Sequence, residues 1–262
     1  MGFGRSGDER LPRSPVKLAA VQALAAALVA WEGAILIFRL PPYILPSPLD
    51  VLDAFAAQPG VYASNAATTV VEILLGFAFG AAFGILMAVT VAALPRFGSL
   101  VWPLVLTLQS FPVFVIAPLL VVWFGFGMAS KVIMATVIIF FPVASAFGDG
   151  LRRTDPMLLD AVALTPATHW QTLVHVRVPL ELPSLVSGLR VAAPLAPLGA
   201  VVGEWVGASS GLGFLMVQAN ARMQTATVFA AMVLLAVLSV LLRHLVDLAA
   251  PRLVPWAREQ GA

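Results

Sequence analysis

DGLRRTDPMLLDAVALTPATHWQTLVHVRVPLELP, residues 149–183, is the stretch on which the reading of this chain turns, because it is a long polar interruption between two apolar runs. It holds enough apolar residues to fold as short helices and too many polar ones to cross a membrane. The pattern predicts two surface helices broken at Thr165-Pro166, where Thr165 would cap the second helix and Pro166 would occupy its first turn. A connection of this length between helices usually carries function.

Outward from it the chain is apolar. Of 262 residues, 60% are hydrophobic and 11% charged, whereas soluble domains are roughly 45–50% apolar and about 25% charged. Too few polar residues remain to cover a soluble surface, so the solvent for most of it is lipid. Runs long enough to span about 30 Å of hydrocarbon lie near 17–38, 66–94, 99–123, 131–148, 184–206 and 226–250. The first exceeds the roughly 7–15 apolar residues of a signal peptide and should stay attached. The expected fold is therefore an all-α integral membrane protein of six transmembrane helices: a tail at 1–16 and a membrane domain at 17–262.

The 15 Lys and Arg residues are asymmetric. Twelve fall on the side of the N-terminus, among them Arg96, Arg152, Arg153, Arg177 and Arg252, and only Arg39, Lys131 and Arg222 fall on the other. This bias predicts that both termini and the 149–183 loop are cytoplasmic. After the first span, Ser47-Pro48-Leu49-Asp50 reads as an N-cap, a first-turn proline and a first-turn acid. The short helix after it would present Val51, Leu52 and Phe55 on one face to the outer membrane surface. Gly76, Gly80 and Gly84 recur every fourth residue, which leaves one helix face without side chains and marks a packing seam. Pro103, Pro112 and Pro118 in the third span, and Pro194 and Pro197 in the fifth, invite kinks.

Several chemistries are excluded. With no cysteine there are no disulfides or thiolate sites. A net charge of +2 is too small for nucleic acid, and the basic residues sit at span ends instead of forming a stripe. Gly2 to Gly7 matches G-x-G-x-x-G in letters only, since no βαβ unit surrounds it. His169 and His175 are six residues apart, not at the spacing that pairs imidazoles on zinc, so no metal site is expected. No nucleophile, base and acid cluster at plausible spacing, so no catalytic residue is assigned. No phosphate-binding G-x-x-x-x-G-K-[ST] motif is present.

The loop resembles that of ATP-binding-cassette importer permeases, in which E-A-A is followed after three residues by G and after nine more by I-x-L-P. The matching residues are Asp160-Ala161-Val162, Pro166 and Val176-Arg177-Val178-Pro179, at intact spacing. Asp160 stands where the family has Glu, and Pro166 where it has Gly; glycine reaches positive φ and proline is held near −65°, so the bend between the helices would differ. The resemblance extends over roughly residues 45–250. It is nearest the nitrate, sulfonate, taurine and thiamine-precursor branch, through stretches such as IAPLLVVWFGFG at 116–127 and GAVVGEWVGASSGLG at 199–213. Within it, Gln109, Asp149-Gly150-Leu151-Arg152 and Gly203-Glu204-Trp205 look most like permeases for hydroxymethylpyrimidine-type precursors.

The resemblance implies a type I importer permease (MetI-like) fold whose 149–183 loop is a coupling element. Asp160, Ala161, Pro166, Ala167, Trp170, Val176 and Pro179 carry over by position, with His169 beside them. It implies a homodimer in a bacterial inner membrane, with ATPase subunits that bind ATP and Mg, and a periplasmic or lipid-anchored solute-binding protein. This chain itself would hold no cofactor. The substrate would be a thiamine-precursor pyrimidine, or alternatively a sulfonate, taurine or nitrate. An ion-gradient-driven transporter is the competing class, and it would ordinarily show an internal repeat that is not found here.

Polar residues inside the spans need separate explanation, since a central carboxylate costs about 2.5–3.5 kcal/mol on insertion scales. Glu72 and Glu204 have no basic neighbour in sequence. One reading makes Glu72, Gln109, Glu204 and Trp205 line the substrate path, a carboxylate pairing with an aminopyrimidine edge and Trp205 stacking on its ring. The other makes the two glutamates helix-holding groups that satisfy nearby donors, and Gln109 a bridge between helices.

Overall fold

The computed structural model describes residues 14–256, and these are all-helical with no strand. Arg5, Arg10, Arg13 and Arg258, most of the 1–16 tail and the Gly2–Gly7 match lie outside the described residues. Helix α1 (Ser14–Phe38) leads to α2 (Pro48–Ala57), and α3 (Pro59–Ala93) to α4 (Pro95–Leu108) and α5 (Ala117–Phe124). Next come α6 (Met128–Arg152), α7 (Pro156–Ala163) and α8 (His169–Thr172). The chain ends with α9 (Val178–Ala192), α10 (Ala196–Gly207), α11 (Leu212–Ala221) and α12 (Thr225–Leu253). Five of these rods are long and apolar enough to cross a membrane, and the α4–α5 pair makes a sixth crossing if taken as one broken span.

The centre of the bundle is the α3–α6 contact. Gly80 and Gly84 on α3 are so close to α6 that a β-carbon would lie 2.7 Å from Ile139 Cβ and 2.9 Å from Val143 Cβ. The four-residue glycine repeat is thus a seam into which α6 sinks. Around it Ile139, Phe147, Leu151, Leu173 and Ala196 are wholly buried, joining α6 to the α8–α10 rod. By contrast, residues 21–30 of α1 are exposed throughout, and α1 is held at its far end, where Trp31 Nε1 donates to Pro46 O at 3.0 Å and its ring lies 5.6 Å from Phe229.

Four expectations change. The third span is not one rod: α4 and the limb Val113–Phe124, a 3₁₀ turn followed by α5, are bent by 81° at residues 109–112. Pro112 sits there in an extended conformation, without an N–H to continue the ladder. The fifth span does not begin at 184, because helical backbone runs without interruption from His169 to Gly207. A π-turn at Leu173–Arg177 and a 3₁₀ turn at Ala193–Leu195, just ahead of Pro197, absorb the irregularities. Helix α11 has no counterpart among the elements expected from sequence.

The fourth change concerns α2. Its N-terminus is as expected: Ser47 Oγ accepts from Asp50 N at 3.1 Å, while Ser47 N donates to the Asp50 carboxylate at 2.9 Å. The backbone and hydroxyl bonds from Ser47 hold that carboxyl below its ordinary value. The three apolar residues, however, do not share one environment. Val51 is buried beside Tyr62 and Ala230, and the Phe55 ring lies 5.1 Å from Tyr62, whereas Leu52 is exposed. Helix α2 is docked on the end of α12.

Candidate functional site

Two places depart from the rule of apolar inside and polar outside, and they lie near opposite ends of α3. Toward its start, Asn65, Thr69 and Glu72 occupy one face of α3 at spacings of four and three. Their partners come from far along the chain. Gly211 N donates to Asn65 Oδ1 at 2.8 Å, Leu212 N to Thr69 Oγ1 at 2.8 Å and Gly213 N to Glu204 Oε2 at 2.5 Å. Thr69 in turn donates to Glu204 Oε1 at 2.6 Å.

The first amides of α11, orphaned by helix geometry, are therefore satisfied by side chains of α3 and α10 in place of a local cap. Glu204 sits at the positive end of the α11 dipole, where a carboxylate is favoured. Gly211, with φ of 114°, can make this turn because it has no side chain. The 199–213 stretch that carried the resemblance is thus a structural unit: the carboxylate, the turn and the helix it caps.

Glu72 lies buried beside Glu204 in the same cluster. Its Oε2 is buried and has no partner. Lys131, which the charge count assigns only to a side of the membrane, completes the cluster. It is 2% exposed. Its ammonium donates to Gly127 O at 2.9 Å and also to Phe126 O and Gly207 O. Gly207 ends α10, so a cation meets the negative end of that helix. Lys131 also lies within electrostatic reach of both glutamates, supplying the counter-charge that no sequence neighbour offers.

The four residues expected along the substrate path are divided by the fold. Glu72 and Glu204 face inward, at 2% and 1% exposure. Trp205, next to Glu204, points to the outside of α10, and Gln109 is exposed at the α4–α5 break. Glu204 and Trp205 are not brought together on one ligand-sized surface.

The other anomalous place is the α7–α8 segment. Asp155 caps α7 by accepting from Met157 N at 2.9 Å, with Pro156 in the first turn. No residue of α7 is buried, and Met157, Leu158, Leu164 and Trp170 expose apolar surface, Leu164 at 90%. The break falls where expected, but the cap does not. Thr165 Oγ1 donates back to Val162 O at 2.7 Å and closes α7, and Thr168 caps the next helix in a reciprocal pair with Gln171. Pro166 lies in the link between them. No described residue of the loop has positive φ, so the bend never asks for the conformation that would require glycine.

The segment projects yet is anchored. His169 Nε2 lies 3.2 Å from Ala92 O at the end of α3, and Arg177 donates to Leu151 O at the end of α6. Asp160, Ala161, Pro166, Ala167, His169 and Trp170 are exposed on it, while Val176 and Pro179 are half-buried where it enters the rod. Among the described residues no group of His, Asp or Glu is arranged to hold a metal.

Residues 80–259 match the model of the binding-protein-dependent transport system inner membrane component family. A probable ABC transporter permease protein of Haemophilus influenzae is 42% identical over 84% of this chain and 90% of its own length. The formylaminopyrimidine transport permease protein ThiX of Halalkalibacterium halodurans is 33% identical over 84% of this chain and 88% of its own. Among solved structures, an inward-facing MetNI methionine ABC transporter has a chain with a TM-score of 0.58 and 25% identity, covering 71% of this chain and 91% of that one.

Proposed function

The chain belongs to the family of binding-protein-dependent transport inner membrane components, as a permease subunit of an ABC importer, and from that premise we propose how it works and what it carries. Two copies form the pathway. A separate ATPase docks on each α7–α8 segment, at the cytoplasmic face, and a solute-binding protein delivers cargo on the opposite side. The observation that carries this reading is the α7–α8 geometry: an apolar, unburied surface pinned to the ends of α3 and α6 and continuous in backbone with the rod after it. Such a surface in water asks for a partner. Because it is anchored, displacement of the segment moves the rods instead of bending a loose loop.

Asp160, Ala161, Pro166, Ala167, His169 and Trp170 contact the ATPase, and Val176 and Pro179 transmit the motion into α9. Gln109 and Trp205, exposed on α4 and α10, face the pathway. Glu72 and Glu204 act on it by fixing α11 to α3 and α10. The cargo is a thiamine-precursor pyrimidine, a reading supported by the Gln109 and Gly203-Glu204-Trp205 stretches and by the formylaminopyrimidine transport for which the ThiX relative is named. ATP and its Mg are bound by the ATPase, and transport proceeds by alternating access without chemical change of the cargo.

The test combines Asp160→Lys with Leu164→Glu in the reconstituted complex. Insertion should persist while ATP-driven uptake is lost; normal uptake would refute the coupling assignment. Binding of pyrimidines against sulfonates to the cognate solute-binding protein decides the cargo, and a preference for sulfonates would overturn that part alone.

A further inference from the structure

A cleft of 390 Å³ opens where α3 turns into α4, lined by Val91, Pro95, Ser99, Trp102, Arg152 and Arg177 among others. We propose that it binds the phosphate headgroup of an anionic phospholipid in the leaflet on the α7–α8 side. This goes beyond the coupling reading and rests only on α3, α4 and α6 being membrane spans.

Two guanidinium groups point the chemistry toward a phosphate. The Arg152 guanidinium lies 4.1 Å from the centre of the Trp102 ring, which steers it over the cleft and leaves its N–H edge unused by that contact. Arg177, also in the lining, spends one nitrogen on Leu151 O, which holds the guanidinium beside the cleft. No acid lines the cleft. Glu181 stands near Arg177 but outside the lining, and accepts from Ser184 at 3.1 Å. Two arginines in a cleft without an acid favour a doubly hydrogen-bonding anion.

The setting points to a lipid. The cleft lies where α3 ends, α4 begins and α6 ends, at the termini of apolar helices, and basic pockets between span ends suit anionic headgroups. On the same helix Phe97, Leu100 and Leu104 form an exposed apolar line at spacings of three and four, a face suited to acyl chains.

The experiment is native mass spectrometry of the full chain, delipidated and then offered phosphatidylglycerol or phosphatidylcholine of matched acyl chains. Wild type should retain one phosphatidylglycerol per chain in preference to phosphatidylcholine, and inorganic phosphate in large excess should not displace it. Arg152→Gln and Arg177→Gln should each weaken retention roughly fivefold, as expected for one surface arginine near anionic lipid. Arg222→Gln, remote from the cleft, should have no effect. If Arg177→Gln fails to fold, Arg152→Gln together with Trp102→Leu serves in its place. Equal retention of the two lipids, displacement by free phosphate, or undiminished retention in the arginine variants would each overturn the proposal.

Discussion

The polar cluster around Glu204 and the α7–α8 segment are inverse anomalies in one molecule. In the first, four ionisable or polar side chains are almost fully buried; in the second, large apolar side chains stand in the open. The buried cluster is nearly complete, because helix-end amides, helix-end carbonyls and the side chains answer one another, and only Glu72 Oε2 lacks a partner. The exposed segment is satisfied in its backbone by caps at Asp155 and Thr168 but unsatisfied in its surface. The first arrangement closes on itself, whereas the second presents an ordered backbone with an unmatched surface, which is what the proposed docking role calls for.

The two places are also mechanically joined. Thr69 and Ala92 are 23 residues apart on α3, about 35 Å at 1.5 Å per residue. The rod from His169 to Glu204 touches α3 near both points yet spans 35 residues, about 52 Å if straight. It must therefore bend, and the π-turn and the 3₁₀ turn are where its helix is irregular. Under the proposed coupling role, motion imposed on α8 would reach the Glu204 cluster through a rod already bent.

If that contrast is right, the largest effect on stability comes from Glu204→Ala. It strips acceptors from Thr69 and Gly213 and a counter-charge from Lys131, and should cost about 3 kcal/mol or more in detergent unfolding. Glu204→Gln, which keeps one acceptor, should cost distinctly less, and Glu72→Gln, at a buried carboxyl whose Oε2 has no partner, less again. Equal losses across the three would show that the cluster does not work through these bonds. Second in size is Gly80→Leu, which drives a side chain into Ile139 and should cost about 1–3 kcal/mol, read as a lower melting temperature.

Leu164→Asp lies at the other pole. At an exposed site it should shift stability by no more than about 0.5 kcal/mol while uptake is lost. A large fall in stability would mean that the segment is part of the core. The smallest effect belongs to α2. The Asp50 carboxyl is held low by Ser47, so its contribution is present above the ordinary Asp range and fades as pH falls through the lowered value. Hydrogen exchange in α2 should quicken only in strong acid, and Asp50→Asn should remove that dependence.

The glycine seam is legible in the sequence because the spacing of three missing side chains along one helix is a local fact. The break in the loop is legible too, at Thr165-Pro166, but the cap lies three residues later than expected. Both Thr165 and Thr168 have the chemistry for it, and only Thr168 has Gln171 at the reciprocal position. That signal is in the sequence. The role of Lys131 is not: charge counting assigns a lysine to a side of the membrane and says nothing of a side chain that turns inward to three carbonyls. Helix α11 escapes because ten residues are too short for a span and its N-terminal caps lie 143 and 146 residues away.

By itself, then, the sequence determined the features that neighbours along the chain decide: an all-helical, lipid-solvated bundle, its glycine seam, the break in the loop and its kinship. The tertiary structure alone decided which charges neutralise each other, which way Glu204 and Trp205 diverge, and where two rods meet twice. The reason is physical. Hydropathy and helix periodicity act over one or two turns, whereas the partners of a buried charge are chosen by packing between helices far apart in sequence.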